Sequence, residues 1–385
     1  MVEASSLGPR PRSVVHLFRW ALLWLDLALL VKSISLDPQS SSSGSSPGKG
    51  HFVGELIDET GFYQAIRLSQ DRPLVKHQSD YQLIEVHQSD HYGKLLVLDG
   101  VLQLTEKDAD SYNEMMAHLP LFQHPSPKRV LVIGGGDGSV VAEVLKHDSV
   151  VQVDHVDLDQ QVIDVCRQHF AWGKVWDDPR VNLYIQDGAA FVKNAPSDYY
   201  DVIIQDSSDP WTWDDDGHVM ELPSSALYTK EHMQNIHRVL TENGVLNLQA
   251  ETLQIPSDMD GIVLWRHNAL EVGFVTARYS SIIVSTYPTG QIGCLVCEKS
   301  SLDRRPEPAA LMRSIEDRYT KMCQEGKDTT YYHPRLQVSS FDLPLWAEKR
   351  IYGNVGGVSQ ACNAAIEKNK VSKSSLSTEA SETQE

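Results

Sequence analysis

Two kinds of hydrophobic pattern divide the chain. Between Tyr81 and Glu106, apolar and polar residues alternate in short runs, YQLIEVHQ, KLLVLDG and VLQLTE. Period two is the mark of strands with one buried face, and Asp99-Gly100 between two of the runs signals a tight hairpin turn. This region predicts a small antiparallel sheet. From Val130 onward, short continuous apolar runs take over, as expected of strands buried on both faces, and polar-faced helical stretches separate them. The pattern predicts strands at Val130–Ile133, Val151–Leu158, Val181–Ile185, Asp201–Gln205 and Gly244–Leu248. It predicts helices over Ser111–Leu121, from near Val140, and over Gln160–His169, Ser224–Leu240 and Met259–Val272. Such alternation implies a doubly wound parallel sheet, which a last strand pair, Thr276–Val284 and Gly293–Cys297, would close.

The ends of the chain differ from this body. Val14–Val31 is the most hydrophobic segment and follows Arg10 and Arg12, so it reads as a signal peptide or signal anchor; an amphipathic organelle-targeting segment is the alternative. Membrane attachment through it, or the cytoplasm if it has no targeting value, are both open. A Ser/Gly-rich linker ends at Gly50, and the tail after Gly353 loses apolar periodicity. The expected organisation is therefore a targeting segment and linker (1–50), a β domain (51–110), an α/β domain (111–351) and a disordered tail (352–385). With 385 residues, 41% of them hydrophobic, the chain can bury a sizeable core. A net charge of −18 argues against a nucleic-acid partner and suits a small cationic one. Cys294 and Cys297 form a CxxC with no second pair or His cluster, so buried strand thiols are expected and no metal.

Candidate chemistry gathers at Val130–Ser139, VLVIGGGDGS. A buried strand, a glycine turn and a helix start make the first unit of a nucleotide-binding sheet, with Gly134, Gly135 and Gly136 letting a ligand approach the backbone. A phosphate site would use backbone N–H groups and the positive end of a helix. Asp137 in that loop points instead to a cationic or hydroxyl-bearing ligand. Further acids fall at the ends of the next strands: Asp157 and Asp159, then Asp187 before Gly188, then Asp206 and Asp209. Each alone could be a helix cap or turn former. Together they ring one crevice. The second-strand acid typically takes ribose hydroxyls, and Asp187-Gly188 is placed to meet a base edge, which leaves Asp137, Asp206 and Asp209 for something positively charged.

The stretches LLVLDGVLQLTEKDADSYNEM, HPSPKRVLVIGGGDGS, YYDVIIQDSSDP and TYPTGQIG resemble, in order and spacing, the spermidine synthases, aminopropyltransferases of polyamine synthesis. The likeness spans about His51 to Ile351. It implies a small N-terminal β domain before a Rossmann-like, methyltransferase-type domain, and a homodimer. It also implies decarboxylated S-adenosylmethionine as cosubstrate, no prosthetic group, and putrescine as acceptor. By the resemblance, Asp157 would hold the ribose and Asp187 the adenine amino group, while Gln82 and Gln103 would frame the site. Asp137 would face the aminopropyl ammonium and repel the carboxylate of ordinary S-adenosylmethionine. Asp206 would be the base, Tyr112 would orient the nitrogen, Tyr287 would line the site, and Asp209 and Glu251 would anchor the far ammonium.

Three features depart from the family pattern. Asp157 stands where Glu is usual, and His51-Phe52 stands where a Trp-Phe pair is frequent. The segment WTWDDDGHVMELPSSALY replaces a shorter loop and adds Asp214, Asp215, Asp216 and Glu221. More acids suit longer polyamines, so spermine or thermospermine synthesis stays open. So do a putrescine N-methyltransferase and a catalytically dead polyamine-binding scaffold.

Overall fold

The structure, a computed structural model, describes residues 51–57, 59–213, 219–300 and 308–353. The expectations for the N-terminal segment, the linker, Asp214 to Asp216 and the tail lie outside these residues. No helix among them is long and apolar enough to cross a membrane.

The chain opens with an antiparallel hairpin, β1 (His51–Ile57) and β2 (Phe62–Leu68). A four-stranded antiparallel sheet follows in sequence order: β3 (Val75–Gln78), β4 (Leu83–Ser89), β5 (Gly93–Leu98) and β6 (Val101–Thr105). The alternating runs are these last three strands. Asp99 and Gly100 both take positive φ, 50° and 87°, the conformation of the expected two-residue turn. The hairpin β1–β2 was not anticipated, because HFVGELI neither alternates cleanly nor carries a turn signal. Gly54 explains part of this: a Cβ there would stand 2.5 Å from the Gln64 carbonyl oxygen, so close strand approach takes the place of a side chain.

Helix α1 (Ala109–Gln123) leads into a seven-stranded sheet built from β7 (Arg129–Gly134), β8 (Gln152–Asp157), β9 (Val181–Ile185), β10 (Tyr200–Asp206), β13 (Leu240–Gln249), β14 (Thr276–Ile283) and β15 (Gln291–Glu298). A short hairpin of β11 (Trp211–Trp213) and β12 (Val219–Glu221) interrupts it. The connecting helices are α2 (Ser139–Leu145), α3 (Gln160–His169), α4 (Gly188–Asn194), α5 (Lys230–Val239) and α6 (Pro256–Val272); α7 (Pro308–Gln324), α8 (Leu336–Ser339) and α9 (Leu345–Tyr352) follow the sheet. Strand order is β14-β15-β13-β10-β7-β8-β9. Strands β13 to β9 run parallel and β15 antiparallel to both its neighbours, so the closing pair makes the sheet mixed.

Successive residues of a strand face opposite layers. Leu131 and Ile133 of β7 join Ile203, Leu246, Ile262 and Trp265 in one core, while Val130 and Val132 join Val202, Ile204, Met115 and Leu119 in the other. That two-sided burial is why these strands read as continuous apolar runs. Because β8 lies on one side of β7 and β10 on the other, strand order reverses at the carboxyl end of β7, where open α/β sheets bind ligands.

The expected single helix Ser224–Leu240 is corrected: Pro223–Tyr228 is a 3₁₀ turn, and α5 begins at Lys230 after Thr229, whose hydroxyl accepts from the His232 N–H at 3.1 Å. The cap restarts the chain in a new direction and leaves Tyr228 buried beneath the strand ends. Helices α4, α7, α8 and α9 were not anticipated. Cys294 and Cys297 are buried thiols on β15, as expected.

Asp108 ties the small sheet to the large one. One carboxylate oxygen accepts from Thr105 Oγ1 at 2.6 Å; the other accepts from Ser285 Oγ at 2.7 Å, Thr286 N at 3.0 Å and Thr286 Oγ1 at 2.8 Å. The residue thus joins β6, the start of α1 and the turn carrying Tyr287. Asp108→Ala leaves four donors without this acceptor and should lower the unfolding free energy by about 1–3 kcal/mol, read as an earlier midpoint in urea with unchanged slope.

Candidate active site

Four parallel strands end around the glycine loop. Gly134 and Gly135 take φ of 75° and 66°, values strained for any residue with a Cβ. Space forbids a side chain as well: a Cβ on Gly134 would stand 2.1 Å from the Asp206 carbonyl oxygen, and one on Gly135 2.8 Å from Asp206 Oδ2. At Gly136 the same atom would stand 2.8 Å from Asp157 Oδ2. The loop therefore brings carboxylates of β8 and β10 against bare backbone. Gly188 opens α4 with its backbone against Ile133, where a Cβ would stand 2.6 Å from Cγ2.

The carboxylates are fixed as follows. Asp206 Oδ1 accepts from the Tyr112 hydroxyl at 2.6 Å. Asp137 Oδ1 accepts from Ser139 N at 2.8 Å and from the Ser139 hydroxyl. Asp157 Oδ1 accepts from Asp159 N at 2.8 Å. Burial, reinforced by the negative charge of Asp137, pushes the Asp206 carboxyl up to about 7. Burial pushes Asp157 up to about 6 and raises Asp137 as well. Burial and the Asp206 charge hold the Tyr112 phenol well above its ordinary range, so it remains a donor.

A second group lies beside the first. Glu251, buried at the end of β13 with φ 53°, accepts from the Gln249 amide at 2.6 Å and the Tyr287 hydroxyl at 2.7 Å. The Tyr228 hydroxyl donates to Gln249 at 2.7 Å. Burial, with Asp209 hydrogen-bonded beside it, raises Glu251 well above the carboxylate range. Asp258, in the first turn of α6, is raised by burial and by Asp209. Glu59, from the turn between β1 and β2, accepts from Ser257 Oγ at 2.6 Å.

The remaining expected residues divide. The Gln82 amide donates to Asp159 Oδ2 at 3.2 Å, joining the crevice through the acid that caps α3. Asp187 caps α4, its Oδ1 accepting from Ala190 N at 2.7 Å, with the side chain exposed beyond β9. Gln103 stands exposed on β6, its amide turned to the Val101 carbonyl at 3.4 Å; in this chain the structure does not draw it to the carboxylates.

Comparison with known proteins is consistent with this geometry. The spermine/spermidine synthase domain matches residues 109–306, and the spermidine synthase tetramerisation domain matches residues 57–106. Spermidine synthase 2 of Arabidopsis thaliana is 40% identical over 291 residues, covering 75% of this chain and 81% of that protein. The chain belongs to the spermine/spermidine synthase family. The spermidine synthase of Solanum lycopersicum is 39% identical over 292 residues, covering 75% of this chain and 80% of its own. A spermidine synthase solved with the transition-state analogue AdoDATO superposes with a TM-score of 0.69 at 29% identity, covering 80% of this chain and 98% of that one. The spermidine synthase of Thermotoga maritima gives 0.68 at 29% identity, with 80% and 97% covered.

Sequence reading missed Asp258, Tyr228 and Gln249. Asp258 sits in PSDMD and reads as an ordinary first-turn acid of a helix. Tyr228 was hidden in a helix drawn too long. Only Gln249, two residues before Glu251 in LQAET, had a usable signal, its nearness in sequence.

A raised carboxyl has a sign for stability. The folded protein holds the Asp206 proton up to about pH 7, whereas an unfolded Asp releases it near 3.9. Stability from this group is full below the unfolded value and is lost as pH rises through the folded one. Asp206→Asn removes the titration, so the variant should gain stability over wild type at pH 8, and the gain should vanish near pH 4. Urea unfolding at both pH values measures it.

Proposed function

We propose that the protein transfers the aminopropyl group of decarboxylated S-adenosylmethionine to putrescine, releasing spermidine, methylthioadenosine and a proton. One observation carries this reading: two carboxylates, Asp137 and Asp206, flank a glycine loop at a sheet switch point, and the one bonded by a tyrosine is poised near neutrality. A sulfonium makes its neighbouring methylene electrophilic, and an amine displaces the thioether in line. An alkylammonium has a pKa of about 10.4, so freeing its lone pair near pH 7 costs roughly 4–5 kcal/mol. Asp206 accepts that proton, and the Tyr112 hydroxyl, donating to Asp206 Oδ1, fixes which oxygen faces the nitrogen. Asp157 takes the ribose hydroxyls and Asp187 the adenine amino group, with Gln82 bracing the crevice through Asp159. Asp137 faces the donor's ammonium.

On the acceptor side, Asp209, Glu251 and Tyr287 receive the distal ammonium. A charge-assisted bond there contributes about 1.5–3 kcal/mol, and holding both reactants in an attack pose contributes on the order of 7–11 kcal/mol. Asp258 and Glu59 extend the acidic lining past Glu251. They favour, as second reading, an acceptor longer by one aminoalkyl unit. Residues 57–106, where the tetramerisation domain matches, serve assembly into an oligomer, a dimer or larger. Val14–Val31 is a targeting or anchoring signal ahead of its Ser/Gly linker.

Purified protein supplied with either sulfonium donor and with putrescine or spermidine tests the reading by its products. Methylthioadenosine supports it, S-adenosylhomocysteine would mark a methyltransferase, and neither product would leave a binding scaffold. Asp206→Asn should lower kcat about 10²–10⁴-fold with donor Kd nearly unchanged; wild-type turnover would remove Asp206 as base. Asp137→Ile should relax the donor choice, so that the ratio of kcat/KM for decarboxylated over ordinary S-adenosylmethionine falls; an unchanged ratio would reject the charge filter.

A further inference from the structure

Two indoles reach the glycine loop from the short segment after α3. Trp172 Nε1 donates to the Asp137 carbonyl at 2.8 Å. Four residues on, the Trp176 ring underlies Gly138, where a Cβ would stand 2.8 Å from Cη2. Its Nε1 lies 2.9 Å from His155 Nδ1. An indole nitrogen can only donate, so Nδ1 must accept. The proton of the neutral imidazole then sits on Nε2, which donates to the Gly134 carbonyl at 2.8 Å. His155 is wholly buried on β8, and burial pushes it down to about 4, so its neutral form and single tautomer persist across neutral pH. Both its nitrogens are engaged away from the carboxylates, which leaves it no proton to exchange with substrate.

Gly134 and Asp137 are the two ends of the loop, and Gly134 pairs in register with Asp206 across β7 and β10. A glycine run has the largest conformational freedom of any sequence; left to itself it would not keep two carboxylates at one spacing. We propose that Trp172, Trp176 and His155 are positioning residues that clamp the glycine loop by the carbonyls of Gly134 and Asp137 and thereby set where Asp137 and Asp206 stand against the donor. The inference rests on the aminopropyl-transfer reading for its kinetic consequence.

The experiment compares wild type with Trp172→Phe, Trp176→Phe, His155→Leu and His155→Gln. Steady-state rates are measured against donor and acceptor, alongside thermal unfolding and the ¹⁵N shifts of labelled histidine at neutral pH. Because displacements near 1 Å cost on the order of 10²-fold, Trp172→Phe and His155→Leu should lower donor kcat/KM roughly 10–100-fold while the acceptor KM barely moves. His155→Gln, whose amide can both donate to Gly134 and accept from Trp176, should recover most of the loss. The His155 signals should show a protonated Nε2 and a bare Nδ1, and Trp176→Phe should mix the tautomers. Wild-type donor kcat/KM in Trp172→Phe and His155→Leu, equal losses in His155→Leu and His155→Gln, or a protonated Nδ1 would each overturn the clamp. If His155→Leu does not fold, Trp172→Phe and the tautomer decide. A wild type that forms no methylthioadenosine would reject the aminopropyl reading instead, with the nitrogen shifts still deciding the clamp.

Discussion

Asp206 and the backbone of Gly134 and Gly135 lie so close that no side chain fits between them. This contact makes the rest of the site possible. It sets a carboxylate at the switch point of the sheet, sheltered enough to hold a proton near neutral pH, and it does so with backbone from adjacent parallel strands rather than with a flexible loop. The same approach at Gly136 brings in Asp157. Asp137 stands close enough that its charge raises the proton affinity of both Asp206 and Asp157.

That concentration opposes folding. Buried carboxyls held as neutral acids in the folded chain are ionised in the unfolded one above pH 4, so the site draws on stability that the two cores on either side of the sheet must supply. The cores do this through large buried side chains, among them Trp265, Phe122 and Tyr279, packed on strands with both faces covered. An acid cluster of this kind is a feature of a catalytic or cation-binding site, because packing alone would not favour it.

The site also draws on parts of the chain far apart in sequence. Asp108 leaves the small antiparallel sheet and locks the turn bearing Tyr287, while opening the helix that carries Tyr112. From the opposite side, Trp172 and His155 hold the loop carbonyls. The glycine loop and the tyrosine-bearing elements are thus braced by separate parts of the chain.

The order of elements, the switch point and the acids at the strand ends were legible in the sequence, because each is a local consequence of pattern: two-sided burial writes a continuous apolar run, and an open strand end writes glycine and aspartate. Motifs such as GGGDGS and DSSDP also identified the family. Nonlocal features were not legible. Asp258 meets Asp209 only once α6 has packed against α5 and β14, and Asp108 reaches Thr286 across about half the chain. Gln103 carries the right side chain but, exposed on β6, turns it to its own strand. Sequence alone determined which strands bear acids; tertiary structure decided which acids meet, how far their protons are held, and which neutral side chains aim them, since proximity and desolvation exist only once distant segments have packed.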